Sequence, residues 1–296
     1  MSYDLYFHRA GGAPSVASLR KYFSKRKNWS LGEKRAHYEN ERTGVYFGFD
    51  FTSAAEDGRA PLAFNINYFR PHVFGLEAEP ELTHFVDYFE LEVDDPQGEG
   101  MGRGRYTPEG FLTGWNHGNR FAYRACLTMP EAKEQQVFAL PALKHQGLWR
   151  FNRAYDSVGE HLMDKLDELP PCFVPTAMLL ALPTGKVATG IVWTLDMPIV
   201  LPNVDLVLSK REDGLHAAPM MELLGLLPVH DTWEADFVPA DGSELGMRSF
   251  VVDQPNEDLT ARLWASMRPM TLSRLSTDQV LDAELLPVPQ QPALHH

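Results

Sequence analysis

Leu62-Ala-Phe-Asn-Ile-Asn-Tyr68 sets a large apolar side chain at every second position, placing Leu62, Phe64, Ile66 and Tyr68 on one face. Period-two alternation describes a strand with one face buried and the other wet, the pattern of an antiparallel sheet rather than of a parallel one covered on both sides. Immediately upstream, Gly44-Val-Tyr-Phe-Gly-Phe-Asp-Phe51 is dense in β-formers, and residues 54–61 supply the Gly and Pro of a connection, so the pair reads as a hairpin or meander. Tyr3 to His8 repeats the alternation, with Tyr3, Leu5 and Phe7 to one side.

Helical spacing interrupts these strands without a regular strand–helix alternation. Ser15 to Trp29 carries Val16, Leu19, Tyr22 and Phe23 among Arg20, Lys21, Lys25, Arg26 and Lys27, which predicts an amphipathic basic helix. Pro80 opens a second helix with Leu82, Phe85, Val86 and Phe89 on one face. A third helix is expected from Pro108 to Leu127 behind Thr107 as N-cap, although Gly110, Gly114 and Gly118 weaken it. Ala154 to Leu169 has the most regular helical periodicity of the chain. Strands are predicted over Phe173 to Leu182, Lys186 to Thr194, Val204 to Ser209 and Met247 to Val252. Helices are predicted over Pro219 to Leu226 and Asn256 to Met267, and a Pro-rich tail from Pro287. The class implied is α+β, with mixed or antiparallel sheets, flanking helices and two subdomains, 1–150 and 151–296.

The 296 residues hold 40 Asp and Glu against 27 Lys and Arg, a formal charge of −13, which disfavours phosphate-backbone binding as a general function. No apolar run approaches the ~20 residues of a membrane helix. The N-terminus lacks a signal-like basic and apolar pattern, and Cys126 and Cys172 are too few for a disulfide framework. A cytoplasmic protein is the expectation, with no nucleic-acid and no membrane partner.

No Gly-x-Ser-x-Gly, His-Glu-x-x-His, Walker or Cys-x-x-Cys motif is present, and the histidines share no i, i+4 pair, so no cofactor or metal is expected. The most chemical-looking group is Trp115-Asn-His-Gly-Asn-Arg120, in which His117, two amides and Arg120 could line a pocket. Charge segregation is the stronger signal. Residues 77–99 hold nine carboxylates and no Lys or Arg, and residues 222–258 hold nine carboxylates against Arg248, whereas residues 1–45 carry nine basic groups against four acidic ones. Acidic blocks of this kind suit electrostatic steering of a basic protein partner. The candidate partner-binding residues are Glu77, Glu79, Glu81, Asp94 and Asp95 in the first block and Glu234, Asp236 and Asp241 in the second.

Ser2-Tyr-Asp-Leu-Tyr-Phe7, Tyr38-Glu-Asn-Glu-Arg-Thr-Gly-Val-Tyr-Phe47, Phe64-Asn-Ile-Asn-Tyr-Phe-Arg-Pro71, Phe74-Gly-Leu-Glu-Ala78 and Trp193 to Leu208 with Pro202 and Asp205 together resemble a family of bacterial cytosolic proteins similar to the immunity proteins of polymorphic toxins. The resemblance brings no catalytic residues. It implies a binding protein, not an enzyme, that neutralises a cognate toxin domain. An enzyme with its pocket at Trp115 to Arg120 is the alternative, and a scaffold protein a third reading.

Overall fold

The computed structural model describes residues 1–10, 12–51, 62–129, 136–158, 172–227, 232–235 and 249–286. They form several sheets with flanking helices, an α+β architecture. The chain divides into two units, Met1–Val137 with Leu281–His296, and Phe138–Val280.

The first unit is built on a seven-stranded antiparallel sheet. In chain order its strands are β1 (Ser2–His8), β2 (Trp29–Leu31), β3 (Arg35–Asn40), β4 (Val45–Phe51), β5 (Leu62–Asn67), β6 (Glu92–Asp94) and β7 (Arg103–Arg105), and in space they lie β2-β3-β4-β5-β1-β6-β7. Alternation sets the register: Leu5 lies opposite Phe64, and Phe64 opposite Phe49, so their side chains share the inner face. That face is buried under α1 (Val16–Phe23), α2 (Val73–Phe89) and α3 (Pro108–Thr128). Phe49 meets Phe85 of α2 at 4.3 Å between ring centroids, and Phe64 meets Phe111 of α3 at 6.0 Å. Each fully buried phenyl contributes about 1.5–3 kcal/mol, so this aromatic layer is the main store of stability.

Two of these three helices differ from their sequence pattern. The basic helix ends at Phe23, and Asn28, at φ +66°, turns the chain back so that Trp29 packs on Phe23 at 4.5 Å. The second helix begins at Val73 and holds Pro80 in its interior, where the missing N–H removes one helical hydrogen bond. Phe74 and Ala78, ahead of the proline, are buried, and this packing outweighs the lost bond. The third helix runs as expected, with the Thr107 side chain accepting from the Gly110 N–H.

Its glycines have a steric cause. A Cβ on Gly114 would sit 2.5 Å from the Tyr3 hydroxyl, one on Gly118 2.3 Å from Tyr68 Cζ, and one on Gly110 2.4 Å from Met101 Cγ. Glycine every fourth residue leaves α3 a flat edge against which two tyrosines and the preceding loop close.

The second unit continues with β8 (Phe138–Leu140) and α4 (Ala142–Arg153), followed by β9 (Met178–Ala181), β10 (Val187–Val192), β11 (Ile199–Pro202), β12 (Leu206–Arg211), β13 (Gly214–Pro219), α5 (Met220–Leu224), β14 (Thr232–Ala235), β15 (Ser249–Val252), α6 (Glu257–Ser266), β16 (Arg268–Pro269) and β17 (Ser273–Leu275); β18 (Val280–Asp282) starts on its last residue and belongs otherwise to the first unit. A six-stranded sheet has the order β16-β13-β12-β10-β9-β17, in which only the β10–β12 pairing is parallel among those described, and a three-stranded sheet has the order β11-β15-β14. Trp193, Ile191 and Val207 pack with Leu148 and Phe151 of α4 and with Leu259 and Leu263 of α6. The burial of Leu148 and Phe151 in this core draws α4 into the second unit, so the division falls at 137/138 rather than at 150/151. The helix expected over 154–169 is described only for 154–158, of which 155–158 are helical and Ala154 is a turn; the rest, like the Pro-rich tail, lies outside the described residues. The sequence pattern predicts neither α4 nor β13.

Asp205 pins the start of the parallel pairing. Its carboxylate accepts from the Thr189 N–H at 2.8 Å and from the Thr189 hydroxyl at 3.0 Å, and it pairs with Lys144. Burial works to raise this carboxyl, but the Lys144 and Thr189 hydrogen bonds and the lysine charge outweigh it and hold the group below its ordinary value.

Two outcomes follow from the packing of the first unit. Gly114→Ala gains about 1 kcal/mol of helix propensity but drives a methyl into the buried Tyr3 hydroxyl at about 1–3 kcal/mol, so urea denaturation should show no gain and a net loss of up to about 2 kcal/mol. Burial raises the tyrosine hydroxyls of Tyr3, Tyr38 and Tyr123, and pushes Tyr68 up to about 12. Because the folded values exceed the unfolded one, this contribution is complete below pH ~10 and is lost as pH rises from there through the folded values. Melting temperature followed by circular dichroism should therefore hold at neutral pH and fall steeply above pH ~10.

Candidate functional site

The first acidic block is divided between the interior and the surface. Glu77 is buried on α2, and its Oε1 accepts from the Tyr38 hydroxyl at 2.8 Å and from Asn40 Nδ2 at 2.7 Å. Glu81 is half-buried and its Oε2 receives Arg26 NH2 at 2.8 Å and the Trp29 indole N–H at 2.9 Å. Asp95 is buried. The Tyr3 hydroxyl donates to its Oδ2 at 2.7 Å, and the backbone N–H groups of Gln97 and Met101 also donate to the carboxylate. The glycine-rich segment 98–104 is thus folded about a carboxylate of its own chain. A buried carboxylate is tolerable only with its lone pairs satisfied, and these groups are occupied in that way.

Glu79 is half-buried and accepts from the Thr83 hydroxyl at 2.6 Å. Asp94 is half-buried and lies between His8, at 3.7 Å, and Arg103, which faces it across the β6–β7 pairing. The same pairing sets Glu92 opposite Arg105. The fold therefore does not bring the five candidates of this block together on one open surface. Glu77 and Asp95 face inward because their positions, on the sheet side of α2 and in the turn after β6, point into the first unit.

Four carboxylates of the block are exposed, Asp87, Glu90, Glu92 and Glu99, and the first two stand together at the C-terminal end of α2. Asp87 lies in the last turn, Glu90 is the C-cap in the left-handed region at φ +53°, and Tyr88 between them is 61% exposed, its ring stacked on His84 at 6.4 Å. No basic residue of α2 lies in its last turn. The negative pole of a helix disfavours nearby carboxylates by about 0.3–1 kcal/mol each, so Asp87 and Glu90 sit where the helix gains nothing from them. Arg9, just after β1, donates to the Phe89 carbonyl at 3.4 Å and offsets part of that field. A count of acids does not separate these from the buried ones, since all nine lie in one run. Helix periodicity around Leu82, Phe85 and Phe89 places 87, 88 and 90 off the apolar face and is the signal that could have distinguished them.

In the second block, Glu234 lies on β14 with only its backbone described, and Asp236 and Asp241 lie outside the described residues.

The Trp115 to Arg120 group does not converge. Trp115 and Asn119 are buried, whereas His117 and Arg120 point outward, and His117 lies 3.5 Å from the exposed Glu99. Asn119 has a structural role, accepting from the Phe69 N–H at 2.7 Å and donating to the Arg70 carbonyl at 2.7 Å, which fixes the loop after β5.

One pair that sequence reading missed has the geometry of an oriented base. His72 Nδ1 lies 2.9 Å from Asp282 Oδ1, while Asp282 Oδ2 accepts from the His72 backbone N–H at 2.7 Å. The Asp282 backbone N–H donates to the Tyr123 hydroxyl at 3.1 Å, and that hydroxyl donates in turn to the Arg70 carbonyl. The two partners stand 210 positions apart, so no local motif announces them. His72 is the N-cap of α2 and has no side-chain cap of its own, so the Asp282 carboxylate serves as a cap delivered from the far end of the chain, at the helix's positive pole. No nucleophile stands against the His72 ring in the described contacts, and the arrangement reads as a staple.

Among the described residues no three His, Cys, Asp or Glu converge to hold a metal, and no helix is long and apolar enough to cross a membrane. Cys126 and Cys172 are half-buried thiols, and burial raises the Cys172 thiol, which keeps it protonated at neutral pH. The site features define an α+β chain with an acidic, aromatic helix end. No family model, curated protein or solved structure matches the chain.

Removal of the staple has a defined consequence. Asp282→Ala leaves the His72 N–H and imidazole without their acceptor and should cost about 2–3 kcal/mol, with Asp282→Asn milder. Amide hydrogen exchange should accelerate first in the opening turn of α2.

Proposed function

We propose that this protein is a bacterial immunity-type binding protein, residing in the cytoplasm, that neutralises a cognate toxin domain by occluding a basic surface. The observation that carries this reading is the end of α2: the exposed ring of Tyr88 flanked by Asp87 and Glu90 at the helix's negative pole. Tyrosine is among the side chains that anchor interfaces, because it buries a large area with few rotatable bonds, and carboxylates around such an anchor steer a cationic partner and exclude the wrong ones. Lys or Arg of a partner would also relieve the unfavourable placement of two acids at a helix C-terminus, so binding supplies what the free protein lacks.

Glu79 and Asp94 remain partially exposed away from this helix end; Glu77, Glu81 and Asp95 act indirectly, by holding α2 and β6 in place. The enzymatic alternative loses support from the outward course of His117 and Arg120.

The reading requires a toxin domain encoded beside this gene, and the test co-expresses such a domain with the chain in a sensitive host. Wild type restores growth. Asp87→Lys with Glu90→Lys should slow association at low salt by about tenfold or more. The same change should leave the free protein's melting temperature equal or slightly higher, because lysines suit a helix C-terminus. Tyr88→Ala should speed dissociation instead. Protection by the double-lysine variant at an undiminished association rate, or failure of the wild type to protect, overturns the reading.

A further inference from the structure

A second site lies in the other unit, and it owes nothing to the acidic helix end. One face of α6 and the loop ahead of β11 border a groove of about 640 Å3, within the range of sites that hold small molecules. Its floor and walls combine three kinds of side chain. Trp264, with Ala261 and Ala265 beside it on α6, supplies an apolar strip. Arg211, the last residue of β12, lays its guanidinium over the Trp264 ring at 3.9 Å from the centroid. Asp196 and Glu257 bring two carboxylates to the same groove.

The unlike charges do not meet. Among the described residues Arg211, Asp196 and Glu257 form no salt bridge within 4.0 Å with one another or with any other group, although all three line one depression. Stacking on an indole holds a guanidinium in plane and leaves its N–H edge for a carboxylate, the bidentate partner that its geometry matches.

The carboxylate side is likewise fixed in place. Leu195 is held at φ +70°, a costly conformation for a residue with a bulky side chain. Three hydrogen bonds enforce it: the Thr260 hydroxyl donates to the Leu195 carbonyl at 3.2 Å, Gln254 Nε2 to the Asp196 carbonyl, and the Trp193 indole N–H to the Met197 carbonyl at 2.8 Å. Asp196 therefore stands on a braced backbone, exposed at the groove. Behind the platform, His216 is buried and turns its ring edge-on to Trp264, at 6.2 Å and 84°.

We propose that this groove binds a zwitterionic ligand of the amino-acid or short-peptide class. Its carboxylate pairs with Arg211, its ammonium lies between Asp196 and Glu257, and its apolar side chain rests on Ala261, Trp264 and Ala265. A ligand carrying both charges satisfies groups that the groove holds apart, which neither a simple anion nor a simple cation does.

Calorimetric titration of the full chain with the dipeptide L-leucylglycine tests this, with N-acetyl-L-leucylglycine and L-leucylglycinamide as probes lacking one charge each. The free dipeptide should bind saturably, and each capped form should bind about tenfold more weakly or worse. Arg211→Gln should abolish the distinction between acid and amide while keeping that between free and acetylated amine; Asp196→Asn with Glu257→Gln should do the reverse. Both sets of substitutions lie at exposed positions, and an unchanged thermal melt without ligand verifies their folding. No saturable binding of L-leucylglycine at millimolar concentration overturns the proposal, as does equal binding of the three probes or a discrimination that survives the matching substitution.

Discussion

The hydrogen bond from the Tyr3 hydroxyl to Asp95, 2.7 Å long and buried, is the constraint around which the first unit is arranged. It joins the first strand of the sheet to the loop after β6, and that loop in turn wraps the carboxylate with the Gln97 and Met101 N–H groups. A charged or strongly polar group in such a place must be satisfied completely, so the loop has little freedom to adopt another course. The same hydroxyl lies 2.5 Å from where a Cβ of Gly114 would be, which fixes how closely α3 can approach. Gly114 of α3 and the tyrosine of β1 thus answer one requirement: room for a buried phenol–carboxylate pair at the edge of an aromatic core.

Charge in this protein is used in two ways that a residue count does not separate. Glu77, Glu81 and Asp95 are structural acceptors, each holding an aromatic or amide donor from a different strand or turn. Their cost of burial is met by two or three directed hydrogen bonds, and no partner is required. Asp87 and Glu90 have no such use, and their position at the negative end of α2 works against the helix. In the second unit Asp205 is a structural acceptor of the first kind, whereas Asp196 stands exposed on a backbone held in a costly conformation. On the proposed reading, the carboxylates that serve recognition are those the fold leaves without a donor of its own.

Much of the secondary structure was legible because its cause is local. Alternation at Leu62, Phe64 and Ile66 became β5, and Thr107 with Pro108 began α3 as capping requires. Asn256 caps α6 through its side chain, accepting from the Leu259 N–H at 2.8 Å. Where local pattern misled, a distant contact had decided the matter. Trp29 left the basic helix to pack on Phe23 and bond Glu81, and the turns of α2 before Pro80 formed because Phe74 and Ala78 had a core to enter. The candidate acidic site was half legible for the same reason: a run of carboxylates shows its charge but not which oxygens have found donors.

By itself the sequence determined the α+β class, the buried face of each alternating strand and the caps of its well-marked helices, because these depend on residues within a few positions of one another. It determined the total charge but not its deployment. Only the tertiary structure decided that Asp282 caps a helix beginning 210 residues earlier, that Arg211 lies over Trp264, and that Glu77 faces Tyr38 while Asp87 faces water. Each of these is a pairing or an exposure that no local periodicity relates to its cause, and its energy exists only once the chain has closed the distance between the groups concerned.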